Sequence, residues 1–142
     1  EPVPLPLDVG LAATRGKLQP VVAWLEKGGH VDAMADGAGV GLLHKAAACG
    51  HVHVAKELLQ RGASVDLQLC GVAAVTALLA ASAMGHHTMV RLLLEHGASV
   101  DLRTDNGRTA LMAAVAGENT ECVDELLRAG ASTELRDQYG ET

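Results

Sequence analysis

Seven histidines, three cysteines and seventeen carboxylates are the side chains of this 142-residue chain that could do acid–base, nucleophilic or metal chemistry. A zinc site needs Cys or His in pairs at short spacing. Cys49, Cys70 and Cys122 stand far apart with no C-x-x-C pair, and His51 and His53, two apart, point to different sides of a helix. A nucleophile needs a base within hydrogen-bond reach, and no Ser-His-Asp or Cys-His set falls together in phase. The segment "GLAATRGKL" at 10–18 ends in Gly-Lys like a phosphate loop. That loop requires four residues between its glycines and a hydroxyl after the lysine. Here five separate Gly10 from Gly16, and Leu18 follows Lys17. "GAGVG" at 37–41 has dinucleotide-loop glycines, but "GGHVDAMAD" before it is no buried strand. It reads as a long hairpin bend. The expectation is a non-catalytic chain with no catalytic residue, no cofactor and no metal.

Composition narrows the class further. Ala, Leu, Val and Gly dominate, Phe is absent, and Trp24 and Tyr139 are the only aromatics. Such a core is thin, so its elements must approach closely. Short packed helices suit it better than strands, which favour β-branched and aromatic side chains. No apolar run is long enough to span a membrane. "EPVPLPLDVG" at the start lacks the basic flank and apolar run of a secretory signal. Three cysteines are an odd number, which predicts free thiols in a reduced compartment, cytoplasmic or nuclear. The net charge is −6, and residues 103–142 carry eight acids against four bases. Without a basic stripe, nucleic acid is excluded as a partner.

What must position these residues is a repeat. "GHVHVAKELLQRGASVDL" at 50–67 returns as "GHHTMVRLLLEHGASVDL" at 85–102. The glycines that close the runs "VVAWLEKGG", "VAKELLQRGA", "VRLLLEHGA" and "VDELLRAGA" are Gly28, Gly62, Gly97 and Gly130, spaced 34, 35 and 33 apart. Each run reads as an apolar-periodic helix ended by a left-handed glycine. An Ala-rich segment precedes each run. The pattern predicts inner helices near 7–14, 42–49, 77–84 and 110–117, and outer helices near 18–27, 52–61, 87–96 and 120–129. Asn106-Gly107 marks a tight hairpin bend. A unit this small cannot bury its own apolar face, so copies must stack on their neighbours. The acids Glu118, Glu121, Asp124 and Glu125 are expected on the last outer helix. Glu118, Glu121 and Glu125 are expected on one of its faces, solvated or offered to a basic partner.

Residues 41–66, "GLLHKAAACGHVHVAKELLQRGASVD", resemble the ankyrin repeat, and 76–101 and 109–134 follow the same pattern. The resemblance covers nearly the whole chain. It implies an all-α ankyrin-repeat solenoid of about four helix–turn–helix repeats joined by β-hairpin-like loops. The units would be 1–34, 35–67, 68–102 and 103–135 within a single domain 1–142, with 136–142 opening a fifth. On that reading the chain is a fragment of a longer array or larger protein. The departures are local. Leu42, Ala77 and Ala110 replace the family proline. Only His44 keeps the family histidine, whose implied role is to hydrogen-bond the turn backbone; Leu79 and Met112 replace it elsewhere. Gly41 replaces the threonine kept as Thr76, Thr109 and Thr142. The first unit is a diverged cap with Pro20 in the first turn of its outer helix and Trp24 adding apolar area.

The resemblance also implies a protein or peptide partner, bound on the concave face by inner helices and hairpin tips. Carried over position by position, the partner-binding residues are Met34, Ala48, Cys49, Gln68, Ala83, Met84, Arg103, Asp105, Asn106, Arg108, Arg136 and Tyr139. Thr14, Arg15, Ala116, Gly117, Gln138 and Glu141 hold related positions. The floor would be small and apolar, with adaptable Met84 near its middle. Arg103, Arg108, Arg136 and Tyr139 would form its rim, either as hot-spot residues or paired with Asp105, Asp137 and Glu134. The role implied is an adaptor or regulatory module of a larger intracellular protein, monomeric in isolation, or a structural unit that packs within its parent chain or on a copy. The uncharged "CGVAAV" at 70–75 either folds back on its neighbours or offers apolar surface.

Overall fold

The Leu-rich runs and the Ala-rich segments both form helices. A computed structural model describes residues 4–34, 40–69 and 74–141. Among these the helices are α1 (Leu7–Thr14), α2 (Leu18–Glu26), α3 (Leu42–Cys49), α4 (Val52–Gln60), α5 (Ala77–Ala83), α6 (His87–Glu95), α7 (Ala110–Ala116) and α8 (Thr120–Arg128). Thus α1/α2, α3/α4, α5/α6 and α7/α8 are four antiparallel pairs in an all-α solenoid. Inner helices α1, α3, α5 and α7 stack in series, and outer helices α4, α6 and α8 stack behind them. The described β feature is an isolated antiparallel bridge from Met34 to Gly41.

The four outer helices stop one residue before the expected ends. Lys27, Arg61, His96 and Ala129 are C-caps that leave the helical conformation, and the next glycine turns left-handed at φ between 86° and 93°. Thr76 and Thr109 start α5 and α7 by accepting hydrogen bonds at Oγ1 from the Leu79 and Met112 amides, as N-cap hydroxyls do. Gly41 has no side chain to do this for α3.

The core is one continuous seam. Leu58, Leu93 and Leu126, at matching positions of α4, α6 and α8, are fully buried. Ala46, Ala47 and Ala81 are equally buried on the inner helices, and their size sets the close approach. In the first unit the Trp24 indole fills the space above Gly29, where a Cβ would meet ring atoms at 2.4 Å. The later repeats place Ala63, Ala98 and Ala131 there instead. The diverged Gly-Gly is therefore the complement of Trp24.

A carboxylate ladder ties the loop bases. Asp32 accepts from Ser64 N at 2.9 Å and from Ser64 Oγ at 2.6 Å; Asp66 binds Ser99 at the same distances. Asp101 accepts from Ser132 N at 2.9 Å. This is why "GASVD" recurs: its Ser reaches back one repeat and its Asp reaches forward one. The Asp32 and Asp66 rungs are exposed, so water compensates part of any loss there. We expect Asp66→Ala to cost about 1 kcal/mol and Ser99→Ala less, since the latter keeps the amide bond. Urea unfolding of both variants checks the order.

Candidate functional site

Five of the seven histidines are spent on carbonyls. The His51 imidazole donates from Nε2 to Thr14 O at 2.8 Å, and His86 donates to Ala48 O at 3.0 Å. Asn119 takes the same position in the last repeat and donates to Ser82 O at 2.8 Å. Each thus caps the inner helix of the preceding repeat, supplying a donor that its terminal carbonyls lack. Gly16, Gly50 and Gly85 lie under these side chains at φ between 71° and 79°. A Cβ on them would come within 2.6, 2.6 and 2.9 Å of His51, His86 and Asn119. At the equivalent place in the fourth repeat stands Glu118, exposed, at φ 56°. The glycine is required only where the next repeat sits on top of it. His53 donates to Gly16 O at 2.8 Å, and His96 Nδ1 bonds to Leu92 O of its own helix at 3.0 Å.

His44 acts inside the core. Its Nε2 donates to Leu67 O at 2.7 Å, tying α3 to the next loop, as the resemblance implied. Its Nδ1 is buried and makes no hydrogen bond among the described residues. Burial holds the imidazole below its ordinary pKa of 6.5, because stripping water from the charged ring outweighs the Leu67 and Val75 carbonyls that favour it. The unfolded chain therefore binds this proton at a higher pH than the folded one. His44 adds to stability fully above its unfolded pKa, and that share is lost as pH falls below it. We expect His44→Leu, which copies Leu79 of the next repeat, to flatten the fall of stability on the acid side of the ordinary imidazole value of 6.5. Urea titrations across that range read the slope.

The acidic run is arranged differently from the expectation. Glu118 precedes α8 rather than lying on it. The Glu125 carboxylate accepts from Arg91 on α6 at 2.5 Å and lies 3.6 Å from Arg128. The Arg91 hydrogen bond holds Glu125 below the usual carboxylate range. Glu121 lies 3.5 Å from His87. Part of the acidic face thus joins α6 to α8, while Asp124 stays exposed. Cys122 is buried beside this pair, and burial raises its thiol pKa; Cys49 is exposed.

On the other side, the loops and inner helices enclose a cleft of about 420 Å³ between α5 and α7. Val75, Leu79, Ala83, Ala113, Ala116 and Gly117 line its floor, with Thr104, Asn106 and Arg108 at its rim. Of the twelve partner-binding residues expected from sequence, the cleft gathers Ala83, Asn106 and Arg108. Met84, next to Ala83, is the C-cap of α5 and 62% exposed. Asp105 and Tyr139 are exposed on the loops that follow. Met34, Ala48 and Cys49 belong to the earlier repeats and Gln68 opens the third; all four stand outside this cleft, Met34 and Ala48 half-buried, Cys49 and Gln68 exposed.

The arginines divide. Arg103 donates to Gly107 O at 3.2 Å and also to Arg136 O, and Arg136 donates to Gly140 O at 3.2 Å. They brace the loops through carbonyls, and among the described residues neither forms an ion pair with Asp105, Asp137 or Glu134. Asp137 instead accepts from the Tyr139 and Glu141 amides, each at 2.9 Å. Sequence reasoning reached Val75 only as part of the uncharged 70–75 stretch, and missed Leu79, Thr104 and Ala113 of the lining. The signal for Leu79 was its place at the position of the family histidine. For the uncharged stretch, residues 70–73 lie outside the described residues, as do 37–39 of "GAGVG" and Thr142. Val75 O accepts from Leu69 N at 3.0 Å, and Val75 faces the cleft.

No helix among the described residues is long and apolar enough to cross a membrane. A comparison with curated proteins finds no match. The family model described as ankyrin repeats (3 copies) matches residues 9–103 and 43–137. With the stacked helix pairs, left-handed glycines and threonine caps in register along that span, the chain belongs to the ankyrin-repeat family, whose members are in general protein–protein interaction modules.

Proposed function

We propose that this chain is a non-catalytic recognition domain that binds a protein or peptide partner on its concave face, without cofactor or metal. The observation that carries this reading is the open cleft between α5 and α7. Its small apolar floor lets a partner backbone approach closely, and exposed Met84 offers an adaptable contact. We place it as one domain, residues 1–142, monomeric in isolation, serving as the adaptor or regulatory part of a larger intracellular protein. A library of random dodecapeptides selected on the full chain tests the reading. Met84→Glu is expected to weaken the selected peptides about tenfold, equivalent to about 1.4 kcal/mol, with far-UV dichroism and melting unchanged. Unchanged affinity would remove Met84 from the site.

A second reading, packing within the parent chain or on a copy, is favoured by one feature. Val115 is 53% and Leu127 44% exposed, whereas their counterparts Ala47, Ser82 and Leu59 in earlier repeats are buried under the next repeat. Sedimentation velocity decides between them: concentration-dependent association that Val115→Glu abolishes would support self-packing, and a single monomer boundary would support the first reading.

A further inference from the structure

The concave cleft has a charge character that the chain as a whole does not. Helices α3, α5 and α7 contain one charged residue among them, Lys45, and no carboxylate. Of the acids of the last repeat, Glu121, Asp124 and Glu125 lie behind, on α8, Glu118 stands just before it, and Asp105 is on the rim loop. At the rim, the Thr104 hydroxyl is already taken by the Arg108 amide at 3.1 Å. Arg103 and Arg136 have their guanidiniums on loop carbonyls. Arg108 is the exception. Its guanidinium has no hydrogen bond or ion pair among the described residues, and Asp105 on the same loop does not pair with it. Asn106 shares the rim; its backbone carbonyl accepts from Gln138 N at 2.8 Å, while its amide side chain stays uncommitted among the described residues.

A planar guanidinium recognises a carboxylate through two parallel hydrogen bonds. Beside it lies a floor of Val75, Leu79 and Ala113 that rewards small apolar side chains. An anion entering here meets a cation that no carboxylate among the described residues is paired with.

Resting on the concave-face reading, we propose that the cleft takes an extended peptide segment in which an Asp or Glu side chain, flanked by small apolar residues, pairs with Arg108 while its neighbours lie on the floor between α5 and α7.

The test uses the full chain and the same library of random dodecapeptides. Selection on the wild-type chain is expected to enrich an acidic residue beside Ala, Val or Leu. Arg108→Glu should weaken these peptides at least about tenfold and, in its own selection, enrich Lys or Arg. Arg108→Gln, which keeps the length and hydrogen-bonding end without the charge, should also weaken them. The convex-face variant Arg128→Glu should leave them unchanged. Dichroism and melting curves identify any variant that fails to fold, and the glutamine variant then decides. Selected peptides that lack an acidic residue, or that bind Arg108→Glu as well as wild type, yet are lost on Met84→Glu or Ala83→Trp, would overturn the carboxylate inference while leaving concave binding in place. Peptides insensitive to Met84→Glu and Ala83→Trp alike would overturn both.

Discussion

Leu93→Ala is expected to destabilise the array by about 2–5 kcal/mol, the range for a buried leucine that leaves a cavity. Leu93 sits in α6 with no exposed surface, in the seam that also holds Leu58 and Leu126. Its neighbours are backbone-braced helices that cannot collapse into the gap. A domain holds only about 5–15 kcal/mol in total, so this one change removes a large share. The array is quasi-one-dimensional, with each repeat stabilised by its neighbours. Damage to the third repeat therefore also uncouples the fourth from the first two, and chemical unfolding should split into two transitions. Leu127→Ala, one residue along from Leu126 but 44% exposed, should cost less than about 1 kcal/mol. Equal losses for Leu93 and Leu127 would show that the seam is not the source of stability.

The second large effect is expected at Gly50. Gly50→Ala combines a left-handed backbone, about 1–2 kcal/mol for a residue with a Cβ, with overpacking of about 1–3 kcal/mol. The clash is with the His86 ring, 2.6 Å from the new methyl. Gly62 shares the backbone conformation at φ 88°, but a methyl added there would have nothing within 4 Å. Gly62→Ala should therefore cost only the backbone part. The difference isolates the contact between repeats. A double-mutant cycle of Gly50→Ala with His86→Ala should return a coupling of about 1–3 kcal/mol. Additive losses would mean that His86 moves aside freely and locks nothing.

Much of this fold was legible in the sequence because its signals recur in phase. The Leu-rich runs ending in Gly62, Gly97 and Gly130 placed the outer helices to within one residue. The small residues of α3, α5 and α7 announced close packing. His44 was legible through the family pattern alone. What escaped were pairings between repeats. Asp66 and Ser99 are 33 residues apart, and neither periodicity nor propensity links them. The same holds for His51 over Gly16: both residues are visible in the sequence, but the contact exists only once two repeats are stacked. The candidate site was less legible still. Arg103, Arg108 and Arg136 look equivalent as letters, and only the loop carbonyls separate the two that brace from the one whose guanidinium has no partner among the described residues. Leu79 and Ala113 line the cleft because of where the loops stand over them, which side-chain type does not specify.

Nuclear magnetic resonance of the glycine Hα protons tests most directly that successive repeats are stacked in register. On Gly16 and Gly50 the direction a Cβ would take meets three imidazole atoms of the following repeat between 2.6 and 3.0 Å, so one Hα of each points at a ring face. Those two protons should be shifted upfield and show Overhauser contacts to His51 and His86 respectively. Gly85, under the amide of Asn119, and Gly62 and Gly97, under nothing, should show ordinary shifts. Ordinary shifts at all five glycines, with no contact from either ring, would contradict the stacked array.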